Sequence, residues 1–451
     1  MDFATQLSHF RQHVGERRVT ALILLGSRQP DTAALLIGAL QPQRVAFFLT
    51  KETADFPTRV AERLGQPPNP AWLIKEAHYT DINQIYRLLR TVIIDEWSDL
   101  KREEILVDLT AGTKLMSVGL AKAAYILNLG TLYIESKYTD QNQVEPGSQR
   151  LIAPPDPYEV FGDLEAAEAA NAFNAHDYVR AEQIYADLAR RAPLPDAQTY
   201  AAWRELAAAY AQWDAFDLQA RATLQRLLDQ PLPSALEAIR PRLAAQRRAL
   251  EWLAQTTYDL NQPTNMLATL ANLDAILPLL GSLHANAMRR VAQQRYDMAA
   301  LLRYRCLELM SQHRLATYGV WTEKPDIDAL KQRFPVLNDR YQQIETALGF
   351  RPRGLQPNRD GNYSPITLLN GYMLLAALAD PLLQQVRPVD IQKRSFVRNK
   401  SILAHGFRQI TRSEYEDFAS VVEQLLDQFF ALAGRSRSDW EQLYQFVSAR
   451  V

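Results

Sequence analysis

Residues 104–117 read Glu104-Ile-Leu-Val-Asp-Leu-Thr-Ala-Gly-Thr-Lys-Leu-Met-Ser117. The branched apolar opening predicts a strand over Glu104–Leu109, and the next helix is expected over Ser117–Leu127. Asp108–Ser117 is therefore a strand-to-helix turn, where backbone N–H groups point out of a positive helix end and Gly112 allows close approach. Thr110, Thr113 and Lys114 add polar contacts, so the turn suits a phosphate-bearing ligand. Its spacing does not satisfy Gly-x-x-x-x-Gly-Lys-Ser/Thr, which argues against nucleoside triphosphate hydrolysis, and Gly26-Ser27-Arg28-Gln29-Pro30 is no dinucleotide fingerprint.

Working outward, Val19–Leu25 is a nearly continuous apolar run ending at Gly26, as expected for a strand buried on both faces of a parallel sheet. Helices are predicted over Asp31–Leu40, Phe56–Leu64 and Ile82–Ser98, and further strands over Arg44–Thr50, Ala71–Ile74 and Gly130–Glu135. This βαβ alternation predicts a Rossmann-like parallel sheet whose ligand site lies beyond the carboxyl ends of its strands. A Pro-rich linker over Pro146–Pro157 closes this first domain, residues 1–158.

Beyond it the pattern is helical, so the fold class is α/β plus all-α. Residues 159–280 read as a connecting layer with hairpins Ala166–Phe173/Tyr178–Ala189 and Thr199–Trp213/Phe216–Leu228. Ala170–Tyr185 resembles a tetratricopeptide unit, without a repeated 34-residue period. Residues 281–451 read as a helical bundle. Its expected helices are Ala287–His313, with Met298, Leu301, Leu302, Leu307 and Leu309 mostly on one side, then Ile366–Ala377, Phe396–His405 continuing irregularly, and Ser413–Leu432.

The 451 residues are too many for one core and suggest two or three domains, and 47% apolar with 22% charged residues is a globular composition. A lone cysteine, Cys306, rules out an intramolecular disulfide and a cysteine zinc site, and fits a reducing compartment. The start lacks a basic segment followed by an apolar run, and the longest apolar stretches are broken by Lys122 and by Asp380-Pro381; the expectation is a cytoplasmic protein with no membrane span. His9 and His13 stand four apart, but Phe10 sits where a zinc protease carries glutamate, and no metal site is expected.

Net charge is −1, unevenly spread: residues 281–451 carry 23 Lys+Arg against 17 Asp+Glu, and residues 1–280 carry 27 against 34. The C-terminal part is thus the one suited to a polyanion. Within Val386–Arg412 seven basic residues (Arg387, Lys393, Arg394, Arg398, Lys400, Arg408, Arg412) face one acid, Asp390. Arg398 and His405 are seven apart, which on a continuous helix places them about 20° apart around the axis. Cutting RNA without metal needs an activated 2′-hydroxyl, a stabilised phosphate charge and a protonated leaving oxygen; histidine moves protons near neutral pH and arginine grips phosphate oxygens.

Two resemblances follow from these residues. Asp108–Ser117 resembles the Asp-Leu-Thr-Gly-Gly-Thr-Lys-type segment of CARF domains, the CRISPR-associated Rossmann-like sensors of cyclic oligoadenylates, with Ala111 where glycine is commoner. The resemblance covers roughly residues 18–140. It implies a two-fold pairing of domains around one ring-shaped ligand, with Gly26, Ser27, Thr50, Thr110, Ala111, Gly112, Thr113, Lys114 and Met116 near it. Arg398-Asn399 followed by Ser401-Ile-Leu-Ala-His405-Gly-Phe407 resembles the Arg-x(4–6)-His signature of HEPN ribonucleases, and Arg295–Leu309 resembles an opening HEPN helix.

Together they imply a CARF–HEPN effector ribonuclease of type III CRISPR systems. The expected activity is metal-independent cutting of single-stranded RNA by a homodimer, with Arg398 and His405 catalytic, Asn399 orienting a side chain or phosphate, and 2′,3′-cyclic phosphate ends. A cyclic oligoadenylate is the expected activator, and no cofactor is required. Tyr363 and Tyr372 are candidates for base stacking, with core packing the favoured role for both. The rival readings are a non-catalytic cyclic-nucleotide sensor or RNA-binding scaffold, and a toxin-like HEPN nuclease under a protein partner.

Overall fold

The computed structural model describes residues 1–14, 19–78, 80–140, 144–155, 160–404 and 406–449. The chain divides into two compact units, Met1–Glu159 and Val160–Val451.

Unit 1 is a six-stranded sheet in the order β3-β2-β1-β4-β5-β6. Its strands are β1 (Ala21–Leu25), β2 (Arg44–Leu49), β3 (Leu73–Glu76), β4 (Ile105–Asp108), β5 (Gly130–Glu135) and β6 (Arg150–Ile152). The first five are parallel. Every residue of β1 is buried, the pattern its unbroken apolar run predicts for a central strand. Alternation sends Ile23 and Leu25 to one face, with Ile85, Leu89, Met116 and Leu120, and Leu22 and Leu24 to the other, with Leu36, Leu40, Phe56 and Val60. The helices supplying these layers are α1 (Phe3–Val14), α2 (Asp31–Leu40), α3 (Phe56–Arg63), α4 (Ile82–Thr91) and α5 (Lys114–Ile126). The order reverses between β1 and β4, which opens a crevice at their carboxyl ends.

Four local expectations change. The third strand starts at Leu73, because Asn69 folds Ala71 into a turn, accepting its N–H at 2.9 Å. The fifth helix starts at Lys114 rather than Ser117, because the Thr113 hydroxyl caps it by accepting the Met116 N–H at 3.3 Å. The helix expected to reach Ser98 is α-helical only to Thr91 and widens into a π-helical turn over Val92–Glu96. The Pro-rich linker contains a sixth strand, β6, antiparallel to β5 with Leu151 opposite Ile134.

Among the described residues the named elements of unit 2 are all helices, with one isolated bridge between Ser401 and Arg408. Asp163–Asn174 and Tyr178–Arg191 form the first hairpin, turning at His176 (φ 62°) and capped by Asp177, and Asp196–Asp214 and Ala220–Leu228 follow. Arg240–Leu260, Leu273–Ala292, Tyr296–Thr317, Leu368–Ala377, Pro388–Lys400, Arg412–Ala433 and Arg437–Tyr444 are its other main helices. One buried cluster runs from Ala169 to Ala449 without interruption, so the middle and final helices share a core. The boundary at residue 280 falls inside the Leu273–Ala292 helix, whose Ile276, Leu280 and Leu283 belong to that core.

The single helix expected over Ala287–His313 is two helices. Gln294 takes φ 59°, and the Arg295 N–H returns to the Arg290 carbonyl at 2.8 Å, closing the first helix. Arg289 and Arg290 both pair with Asp214 and fix that end. Of the residues expected on one apolar side, Leu307 and Leu309 are buried but Met298 and Leu301 are exposed. The Tyr296–Thr317 helix is instead enclosed by neighbours on several sides, Arg303 and Cys306 included.

Candidate functional site

In unit 1 a cavity of about 490 Å³ opens at the carboxyl ends of β1, β2 and β4. Gly26, Ser27, Thr50, Gly112, Thr113 and Met116 line it, six of the nine positions named from the sequence. Two glycines shape it. A Cβ on Gly26 would lie 2.6 Å from the Thr53 hydroxyl, and one on Gly112, which has φ 88°, would lie 2.7 Å from Leu25 Cδ1. At both positions the neighbours pack so closely that a side chain would collide with them, which only glycine avoids.

Thr110, Ala111 and Lys114 are not in the lining. The Thr110 hydroxyl is committed to the sheet, donating to Asp108 Oδ1 at 2.5 Å and accepting the Ile134 N–H at 2.7 Å. Ala111 offers its carbonyl to the Ser117 hydroxyl at 2.9 Å, and Lys114 is exposed on the first turn of α5. Asp108 is buried beneath the turn. Burial pushes its pKa up to about 6, opposed by the side-chain and backbone bonds from Thr110.

Arg28, Gln29, Glu52 and Thr53 complete the cavity wall and were not singled out in the sequence. Arg59 holds the first of these loops by donating to the carbonyls of Arg28 at 2.6 Å and Ser27 at 3.1 Å. Thr50 and Glu52 also border a second cavity of about 330 Å³ with Lys51, Glu76, Ala77, His78 and Gln84. Only the fold reveals these residues, since loops after β2 and β3 carry no motif of their own.

In unit 2 the basic stretch forms the Pro388–Lys400 helix. Pro388 occupies the first turn, and the Asp390 side chain accepts the Arg387 N–H at 3.4 Å. Arg398 is half-buried in the last turn; its guanidinium carbon lies 4.6 Å from the Tyr304 ring centroid, and it donates to Asn399 Oδ1 at 3.2 Å. Arg398 Nε is buried and meets no partner among the described residues. Asn399 and Lys400 are exposed.

The helix ends at Lys400, because Ser401 turns extended (φ −70°, ψ 142°), so the helix expected over Phe396–His405 stops short of position 405. Ser401 instead pairs with Arg408 in a bridge. His405 lies outside the described residues. Ile402, Leu403 and Phe407 are exposed, Phe407 at 97%. Asp297 meets this loop: Ser401 Oγ donates to it, and the Ile410 N–H lies 3.2 Å from both its oxygens. Asp297 and Tyr304 lie in the stretch that resembles an opening HEPN helix, but the sequence does not show that they reach this loop and Arg398.

Tyr372 is fully buried, donating to the Leu307 carbonyl at 2.9 Å, and is no base-stacking surface; Tyr363 donates to Asp328 at 2.5 Å. His13 Nδ1 pairs with the His9 carbonyl at 2.9 Å. Among the described residues no group of three or more His, Cys, Asp or Glu is placed to hold a metal ion, and no helix is long and apolar enough to cross a membrane.

A family model described as the Csm6 HEPN domain matches residues 269–428, and one described as the Csm6 6H domain matches residues 161–250. The CRISPR system endoribonuclease Csm6 of Thermus thermophilus is 25% identical over 420 residues, covering 88% of this chain and 82% of that protein. Among solved structures, Enterococcus italicus Csm6 bound to cyclic hexa-2′-fluoro-hexa-dAMP aligns over 94% of this chain and 97% of its own, at 11% identity and a TM-score of 0.48. Can2 from Sulfobacillus thermosulfidooxidans in complex with cyclic tetra-adenylate aligns over 40% of this chain and 51% of its own, at 16% identity and a TM-score of 0.22.

Proposed function

The chain belongs to the CARF–HEPN effector ribonucleases of type III CRISPR systems, and we propose that it cuts single-stranded RNA without a metal ion when a cyclic oligoadenylate occupies unit 1. The observation that carries this reading is Arg398: a guanidinium held half-buried over an aromatic ring, at the end of a basic helix, immediately before the loop that bears His405. That is the arrangement a phosphate-gripping group needs, since the side chain is ordered before substrate arrives.

In the proposed reaction the 2′-hydroxyl attacks the adjacent phosphorus, the bond to the 5′-oxygen breaks, and a 2′,3′-cyclic phosphate and a 5′-hydroxyl result. Arg398 stabilises the charge on the phosphate oxygens, and His405 moves the proton, reaching the leaving oxygen as a general acid. Asn399, bonded to Arg398, orients the guanidinium or a phosphate oxygen. Two copies of the chain supply two such pairs to one composite site in a cytoplasmic homodimer. Residues 1–158 form the sensor, 159–280 the connecting layer and 281–451 the ribonuclease domain.

The activator is assigned to the cavity of unit 1, where Gly26, Ser27, Thr50, Gly112, Thr113 and Met116 are lining residues. Thr110 and Ala111 support the turn from behind, and Lys114 contributes charge at its rim. Activation requires that the ligand favour the cutting-competent arrangement by a differential free energy, typically about 1–3 kcal/mol between coupled sites.

The test is cleavage of a labelled single-stranded RNA in EDTA, with cyclic oligoadenylates of several ring sizes and without any. Ligand-dependent cutting that survives chelation and disappears in Arg398→Ala and His405→Ala supports the reading. Activity lost on chelation, or His405→Ala cutting at the wild-type rate, sinks it.

A further inference from the structure

The Pro388–Lys400 helix does not continue to position 405; the chain folds back on the helix end instead. The Gly406 N–H donates to the Ser401 carbonyl at 3.0 Å, the Ile402 N–H to the Arg408 carbonyl at 3.1 Å and the Arg408 N–H to the Lys400 carbonyl at 3.4 Å. Gly406 is packed so closely that a Cβ there would fall 1.9 Å from the Lys400 carbonyl oxygen, a backbone atom that cannot swing aside. Of the six residues between Arg398 and His405, Asn399 and Lys400 end the helix and residues 401–404 are taken up in the loop.

Asp297 ties this loop to the rest of the bundle. It accepts from Ser401 Oγ near the start of the loop and from the Ile410 N–H just past its end. Ser401 and Ile410 are 2% and 3% exposed, so neither donor has water as a substitute. Asp297 lies in the first turn of the Tyr296–Thr317 helix, where the helix end favours a carboxylate. Tyr304, the ring beneath Arg398, stands seven residues further along the same helix, two turns on and on nearly the same face.

We propose that Asp297 is a positioning residue for RNA cleavage: one face of the Tyr296–Thr317 helix sets both halves of the catalytic pair, Tyr304 placing Arg398 and Asp297 placing the loop that carries His405. This rests on the reading of Arg398 and His405 as the catalytic pair. Asp297 itself touches no reacting atom; its carboxylate acts through Ser401 and Ile410.

The test uses full-length protein saturated with activator, comparing Asp297→Ala, Asp297→Asn and Ser401→Ala with wild type in kcat, KM and thermal unfolding. Asp297→Ala is expected to lower kcat about 10- to 100-fold, the cost of a reacting group displaced by about 1 Å, with KM changed less than about twofold. Asp297→Asn, which keeps an acceptor oxygen, recovers part of the loss. In a His405→Ala background Asp297→Ala is expected to lower residual cleavage by less than about twofold, because residues acting as a unit are non-additive. Wild-type kcat in Asp297→Ala, or the full loss repeated in the His405→Ala background, overturns the proposal. Should Asp297→Ala not fold, Ser401→Ala removes the same bond from the loop side, and wild-type kcat there overturns it equally. His405→Ala cutting at the wild-type rate brings down the catalytic-pair reading and this proposal with it, whereas an inactive His405→Ala beside a fully active Asp297→Ala overturns this proposal alone.

Discussion

The guanidinium of Arg398 rests over the ring of Tyr304, 4.6 Å from its centroid, and so a residue from the basic helix is ordered by one from the helix packed beside it. Such a contact stabilises by about 0.5–1 kcal/mol when exposed and about 2 kcal/mol when dry. One guanidinium N–H meets Asn399 Oδ1 and Nε is buried, so the Nη2 end is the part left to meet a phosphate oxygen.

Tyr304→Phe keeps the ring and is expected to cut RNA within about twofold of wild type. Tyr304→Leu removes the quadrupole and lets Arg398 sample other rotamers, for an expected loss of about 5- to 30-fold, the equivalent of about 1–2 kcal/mol. Single-turnover cleavage at saturating activator measures both. Equal rates in all three proteins would show that the ring does not order Arg398.

Asp108 sets a pH dependence on the stability of unit 1. Its pKa is pushed up to about 6 from 3.8, first by burial, so the folded state holds the proton more tightly than the unfolded chain. The stability it contributes is therefore present below pH 3.8 and lost as pH rises through about 6, amounting to roughly 3 kcal/mol. Asp108→Asn keeps an acceptor for Thr110 and does not titrate. Thermal unfolding at a series of pH values from acid to neutral is expected to show the variant gaining on wild type as pH rises, and a constant difference across the series would contradict the assignment.

Gly112→Ala forces a side chain onto a backbone at φ 88° and into Leu25 Cδ1 at 2.7 Å. The backbone alone costs about 1–2 kcal/mol. Titration calorimetry with a cyclic oligoadenylate is expected to show affinity reduced at least about tenfold, since the loop after β1 and the turn after β4 line the same cavity. Undiminished affinity would remove the cavity from consideration as the activator site.

Phe446 is the anchor of an extended segment laid across unit 2. Its ring stacks on Tyr210 at 3.9 Å with Arg289 at 3.9 Å from it, and the flanking backbone is held by Tyr210 Oη to the Val447 N–H at 3.2 Å and by Asn174 to the Ala449 N–H at 2.8 Å. Phe446→Ala is expected to cost about 3–5 kcal/mol, read as a lowered urea midpoint for unit 2. A midpoint unchanged from wild type would mean that the segment only decorates the surface.

The sheet was legible where one physical demand dominates. A strand buried on both faces has to be apolar throughout, and Ala21–Leu25 is, so β1 could be read directly. β6 could not: Arg150-Leu-Ile152 is three residues long in a Pro-rich stretch, and it becomes a strand only because β5 offers an unpaired edge. The break at Gln294 was equally hidden. No Gly or Pro marks it, and the ion pairs of Arg289 and Arg290 with Asp214, 75 and 76 residues away, are contacts that no local pattern encodes.

By itself the sequence determined that a parallel sheet precedes a helical bundle, that a glycine turn follows the fourth strand, and that basic charge gathers around Arg398. These follow from periodicity and composition, which act over a few residues at a time. Tertiary structure alone decided that Thr110 serves the sheet rather than the cavity, that the helix stops at Lys400, and that Tyr304 and Asp297 stand beneath the basic helix and its loop. Each depends on which distant group satisfies a buried donor or covers a charge, and that choice exists only once the chain is packed.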